Sequence, residues 1–186
     1  MNRIIPMPAD CSEPAELVAA IRARRGGQLL NLDRVLLRSV PLAQAWNAYL
    51  GAVRGALSIS PRLRELAICG VAVFNGAEYE FAHHEPEYRR AGGSERAARR
   101  LRDFESAADD ACSFDESERA VIALTLEMTR HITVTEATWG RVQQCLPEPQ
   151  FQVEIVAVIA TYNMVSRFLQ ACGIEREAAP QGAPLL

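Results

Sequence analysis

The stretch NGAEYEFAHHEP, residues 75–86, sets carboxylates, a tyrosine and a pair of histidines just past the apolar segment LAICGVAVF. On a helix, residues four apart lie one above the other, offset by about 40° at about 100° per residue. Glu80 and His84 are therefore neighbours on one face, and His83 points about 100° away. A carboxylate beside an imidazole fixes the ring and favours a proton donor near neutral pH. The same spacing also describes an ordinary exposed i, i+4 ion pair. The stretch by itself leaves both readings open.

A second carboxylate lies upstream. Glu65 falls among Leu63, Leu66, Ile68 and Cys69, where a lone charge is costly unless paired. Its candidate partners are Arg62 and Arg64, or the histidine of the next helix. Tyr79, Tyr162 and Arg167 are the candidate substrate-binding residues. The Tyr162 hydroxyl interrupts an apolar seam and needs a partner if buried. Arg167 suits a substrate carboxylate or a surface salt bridge. His131 sits in a helix's last turn, where the dipole favours it. A metal held by Glu65, Glu80 and His84 would have one strong nitrogen ligand, so neither metal nor cofactor is expected.

Composition narrows the chemistry further. Every one of the 20 basic side chains is arginine. Without lysine the chain has no Schiff-base chemistry and no phosphate-loop lysine. No G-x-G-x-x-G or G-x-S-x-G occurs, which removes the usual dinucleotide and serine-hydrolase signatures. The five cysteines are an odd number, widely spaced and without C-x-x-C, against a disulfide framework or a thiolate zinc cage. The net charge of −3 and the lack of an arginine stripe give no nucleic-acid footprint. Apolar runs fall short of the roughly 20 residues of a membrane span, and the N-terminus lacks a secretory pattern. A soluble, cytoplasmic protein acting on a small molecule, with no nucleic-acid or membrane partner, is expected.

The elements that must position these residues read as helices throughout. Ser12 is a candidate cap for SEPAELVAAIRAR, with Pro14 in its first turn and Gly26-Gly27 at its end. PLAQAWNAYLGAVRGAL is a second helix, with Leu42, Trp46, Tyr49, Leu50 and Val53 on an apolar face. Ser60-Pro61 opens a third, PRLRELAICGVAVF. Asn75-Gly76 breaks it, and EYEFAHHEPEYRRAG follows as a helix that Pro86 kinks or divides. After Gly92-Gly93-Ser94 come SERAARRLRDF, DESERAVIALTLEMTRHI and TEATWGRVQQCL. A long helix then spans about residues 150–171, with Ile155, Val158, Ile159, Tyr162, Val165, Leu169 and Cys172 in one seam. Apolar residues beyond that seam suit either a central core helix or a subunit interface. The fold class is all-α.

RLRELAICGVAVFNGAEYEFAHH resembles the signature of the carboxymuconolactone decarboxylase and alkyl hydroperoxidase D (AhpD-like) superfamily. In the peroxidase branch a Glu is followed twelve positions on by C-x-x-C, and four positions after the second Cys by His. Glu65 and His84 match that pattern, while Ala77 and Glu80 stand in place of the cysteines. YEFAHH is also similar to the Y-E-W-x-x-H form of branches without the cysteine pair. SERAVIALTLEMTR, ATWGRV and VAVIATYNMVSRFLQACGI resemble the second half of longer members. The likeness runs over residues 33–175, which leaves 1–32 as an N-terminal arm and helix and 176–186 as a loose tail.

The resemblance implies an AhpD-like helical bundle and a homo-oligomer, from dimer to hexamer. The missing cysteines argue against thiol peroxidase chemistry, which needs an attacking thiolate and a resolving thiol. What remains is acid–base work by a decarboxylase, lyase or isomerase on a carboxylated or lactone-type substrate. In it His84 delivers a proton, Glu80 orients the ring and Glu65 completes a relay. A divergent peroxidase-related protein and a non-catalytic ligand-binding protein are the alternatives.

Overall fold

In a computed structural model that describes residues 3–177, the elements are helical, and no strand occurs among the described residues. Helices α1 (Ala15–Arg24), α2 (Asn31–Leu36) and α3 (Val40–Gly55) come first. Then follow α4 (Pro61–Phe74), α5 (Glu78–Arg90), α6 (Glu95–Arg100), a 3-10 turn (Leu101–Asp103) and α7 (Phe104–Ala107). The chain ends with α8 (Glu116–Arg130), α9 (Glu136–Cys145) and α10 (Pro149–Cys172). Of the expected loose tail, residues 178–186 lie outside the described residues. The described residues divide into two compact units, residues 3–55 with 171–177 and residues 56–170.

In the first unit α1 and α2 pack on α3. Three details differ from expectation. Ser12 does not cap α1: Pro14 occupies the N-cap position, and the Ala15 N–H donates instead to the Glu13 carboxylate. The stripe of α3 that is buried is Ala43, Trp46, Leu50 and Val53, whereas Leu42 and Tyr49 are exposed. Asn31–Leu36, read from sequence as no element, is a short helix. Its Asp33 carboxylate accepts from the Leu30 N–H and pairs with Arg25.

In the second unit α4 is the central helix, packed against α5 and α8. Pro61 starts it at a position that has no intrahelical donor to lose. Leu66 to Ala72 are all buried. Gly70 admits the Phe104 ring, since a Cβ there would lie 2.3 Å from its Cζ. At Gly76 the backbone turns with φ +61°, a region that glycine enters without strain. That turn folds α5 back along α4. Pro86 neither divides nor ends α5, which runs unbroken to Arg90. Just beyond it the buried Tyr88 donates to Glu118 Oε1 of α8 at 2.8 Å.

The long helix α10 has the expected seam: Ile155, Val158, Ile159, Tyr162, Val165, Leu169 and Cys172 are all buried. It is long and apolar enough to span a membrane by length and composition, with a mean hydropathy of 1.3 over an 18-residue window. Of that window 56% is buried, as a core helix also would be. It also buries Thr161, Asn163 and Ser166. Asn163 bonds Thr129 of α8 and Asn75 at the α4–α5 turn, and Gln170 donates to the carbonyls of Asn75 and Gly76.

Candidate functional site

The Asn75-Gly76 turn brings the inner face of α5 onto α4, and α10 lies across both through the Asn163 and Gln170 bonds. Glu65 from α4, and Glu80 and His84 from α5, are 3%, 2% and 5% exposed. At those values the pair on α5 is no solvated surface ion pair. Helical phase explains the selection: Glu80 and His84, four apart, turn inward together. His83 lies off that face, its Nδ1–H donating to the Tyr79 carbonyl at 2.7 Å.

His84 is held from α4. Its Nδ1 lies 2.6 Å from Glu65 Oε2, which assigns the Nδ1 proton to a charge-assisted bond. Nε2 is the ring's other titratable nitrogen. The other Glu65 oxygen, Oε1, accepts from Arg64 Nε at 3.1 Å. Burial pushes the Glu65 carboxyl up, but the bond and charge of His84, with Arg64, outweigh it and hold the group below the usual carboxylate range. Arg62, the other candidate partner, instead pairs with Asp115 and reaches toward Glu118.

Glu80 takes a different partner from the one expected. Its Oε2 accepts from Ser166 Oγ of α10 at 2.8 Å, and its Oε1 is buried with no partner among the described residues. The residue that fixes the His84 ring is thus Glu65, and the expected orienting role of Glu80 is not what its bonds describe. Burial pushes the Glu80 carboxyl up to about 8, against a smaller opposing effect of the Ser166 bond. Its place in the first turn of α5 favours ionisation by about 0.3–1 kcal/mol. That is small beside the several kcal/mol required to bury an unpaired charge.

Tyr162 is buried and sets its ring edge-on to His84, centroids 5.0 Å apart. Tyr79 is buried too, and its ring lies against His83 at 4.5 Å. Arg167 is exposed on α10, apart from this cluster. Cys69, one helical turn beyond Glu65, is fully buried, and burial with the charges of Glu65, Glu85 and Glu80 pushes its thiol well up. His131 caps the C-terminus of α8. Among the described residues no group of three His, Cys, Asp or Glu side chains is placed to hold a metal ion.

Ser166 is the member that sequence reasoning missed. Its one signal is the spacing to Tyr162, four residues earlier, which sets a second hydroxyl on the same face of an otherwise apolar helix.

Residues 41–127 match the carboxymuconolactone decarboxylase family. No curated protein matches the chain. A peroxidase-related protein from Silicibacter sp. TM1040 has the same fold, with a TM-score of 0.75 at 18% identity over 95% of this chain and 89% of its own. The debrominase Bmp8 gives 0.77 at 18% identity, over 94% and 92%. An alkylhydroperoxidase AhpD core protein from Ralstonia eutropha JMP134 gives 0.77 at 16%, over 93% and 91%. At such identities the likeness establishes the fold alone.

Proposed function

We propose that this chain is a member of the AhpD-like superfamily, as the match of residues 41–127 to the carboxymuconolactone decarboxylase family supports, and that it works there as an acid–base catalyst, a decarboxylase, lyase or isomerase acting on a small carboxylated or lactone-type substrate. The observation that carries the reading is the 2.6 Å bond between Glu65 and His84. A buried carboxylate on Nδ1 fixes the tautomer and supports a positive charge on the ring. Nε2 then both gives and takes a proton.

In a decarboxylation the bond from the carboxylate carbon to the neighbouring carbon breaks, and carbon dioxide leaves. The electron pair stays behind, delocalised onto a conjugated carbonyl as an enolate. His84 Nε2–H protonates the vacated carbon, and the ring regains its proton from water. Glu65 remains ionised throughout and stabilises the imidazolium. An isomerisation begins instead with Nε2 of the neutral ring taking a proton from a carbon beside the carbonyl, and ends with the imidazolium returning a proton to another carbon of the enolate.

Thiol chemistry is disfavoured on two grounds. Ala77 and Glu80 occupy the positions of the cysteine pair, and the Cys69 thiol is buried and held in its unreactive form. The test is a panel of small carboxylated lactones and 3-oxo acids, with release of carbon dioxide followed for the wild type and His84→Gln. Release by the wild type alone is expected. Turnover of an organic hydroperoxide with a dithiol reductant, abolished by replacing any one of the five cysteines, would overturn the reading.

A further inference from the structure

We propose that Glu80 and Ser166 form an oxyanion-binding pair, in which Glu80 Oε1 donates to an anionic oxygen of the substrate and Ser166 is the positioning residue. This rests on the acid–base reading above, because an enolate or carboxylate oxygen is what such a substrate offers. Glu80 is buried, and among the described residues its one bond comes from Ser166 Oγ, itself fully buried, at 2.8 Å. Among the described residues no cation pairs with it, since Arg64 is engaged by Glu65. A carboxyl so placed keeps its proton, in keeping with its rise to about 8.

Ser166 donates to Oε2, which identifies Oε2 as the carbonyl oxygen and puts the proton on Oε1. Oε1 is therefore a buried donor without an acceptor among the described residues. Such a group is costly until something arrives to accept from it. An anionic oxygen gains most, because a charged acceptor makes the stronger bond. Glu80 lies one turn from His84 on the same face of α5, so a substrate held by the acid would lie beside the imidazole that the proposed reaction uses.

The titratable and charged groups brought to this region are Glu65, Arg64 and Cys69 on α4, His83, His84 and Glu85 on α5, and Tyr162 on α10. For that reason the test separates Glu80 by substitution rather than by pH alone. Full-length wild type, Glu80→Gln, Glu80→Leu and Ser166→Ala are titrated with 4-nitrophenolate, read by absorbance, and with acetate, read by NMR. The wild type should bind, and its binding should fall as the pH passes about 8, where Glu80 ionises. Glu80→Gln keeps a donor that cannot ionise, so it should bind without that fall. Glu80→Leu should weaken binding by about tenfold or more. Because the Ser166 bond lowers the Glu80 pKa, Ser166→Ala should move the fall to higher pH.

Equal binding by folded Glu80→Leu, which would mean that Oε1 meets a buried water only, overturns the proposal. So does binding of neither probe by the wild type, or an unchanged pH break in Glu80→Gln. Intact probe binding without carbon dioxide release from any substrate would sink the decarboxylation reading and leave the pair standing.

Discussion

Replacing Glu65 by glutamine tests the joint between α4 and α5. The substitution keeps the shape and an acceptor oxygen but removes the charge that binds both His84 Nδ1 and Arg64 Nε. A charge-assisted bond contributes about 1.5–3 kcal/mol, against about 0.5–1.5 for a neutral one. The expected loss is thus about 1–3 kcal/mol for Glu65→Gln. At roughly 2–4 °C per kcal/mol for a chain of this size, the melting temperature should drop by about 2–12 °C. Glu65→Leu removes the acceptor from both partners and should cost more, about 3–5 kcal/mol. The pH dependence has a definite sign. The native Glu65 carboxyl lies below its reference of 4.5, so its contribution is fully present above that pH and is lost as the pH falls through the lowered native value. Urea unfolding followed by circular dichroism, at neutral pH and in steps below 4.5, measures both quantities. The gap between wild type and Glu65→Gln should be full at neutrality and shrink in acid. A variant as stable as the wild type at neutral pH, or a gap that widens in acid, would refute the reasoning.

Gly70→Ala should destabilise by about 1–3 kcal/mol, because the new methyl meets the buried Phe104 ring. Adding Phe104→Leu should cost less than the sum of the two changes, as a double-mutant cycle in urea would show. On α10 the exposed Val153, Ala160 and Met164 lie outside the buried seam, and we expect this face to join copies of the chain. Light scattering should then find an oligomer that Val153→Glu with Met164→Glu breaks into monomers; a wild-type monomer at micromolar concentration would sink the idea.

The fold was readable wherever local signals agree. Pro61 and the Asn75-Gly76 break bound α4 as observed, and the seven seam residues of α10 are buried as their spacing requires. Other features lay beyond a local pattern. Pro86 removes one intrahelical donor, but Tyr88 anchored to Glu118 holds the next turn, and nothing near Pro86 in sequence announces that anchor. Leu42 and Tyr49 look apolar-facing until Ala43 is counted; a small residue carries little weight in a hydrophobic pattern yet shares the buried stripe of α3. Glu65 announced itself through its apolar setting. Its choice between arginine and histidine depended on how α5 folds back, and it takes both. Ser166 gave the weakest signal, because a serine suits either face of a helix and only its burial against Glu80 gives it a role.

In the proposed reaction His84, held by Glu65, moves the proton. The most direct test of that role is to turn over an accepted substrate in deuterium oxide and locate the label in the product by NMR, with wild type and His84→Gln side by side. One deuterium is expected at the carbon that carbon dioxide vacated, or at the isomerised carbon, formed by the wild type and absent from a His84→Gln variant that folds normally. Undiminished, labelled product from His84→Gln would contradict that role.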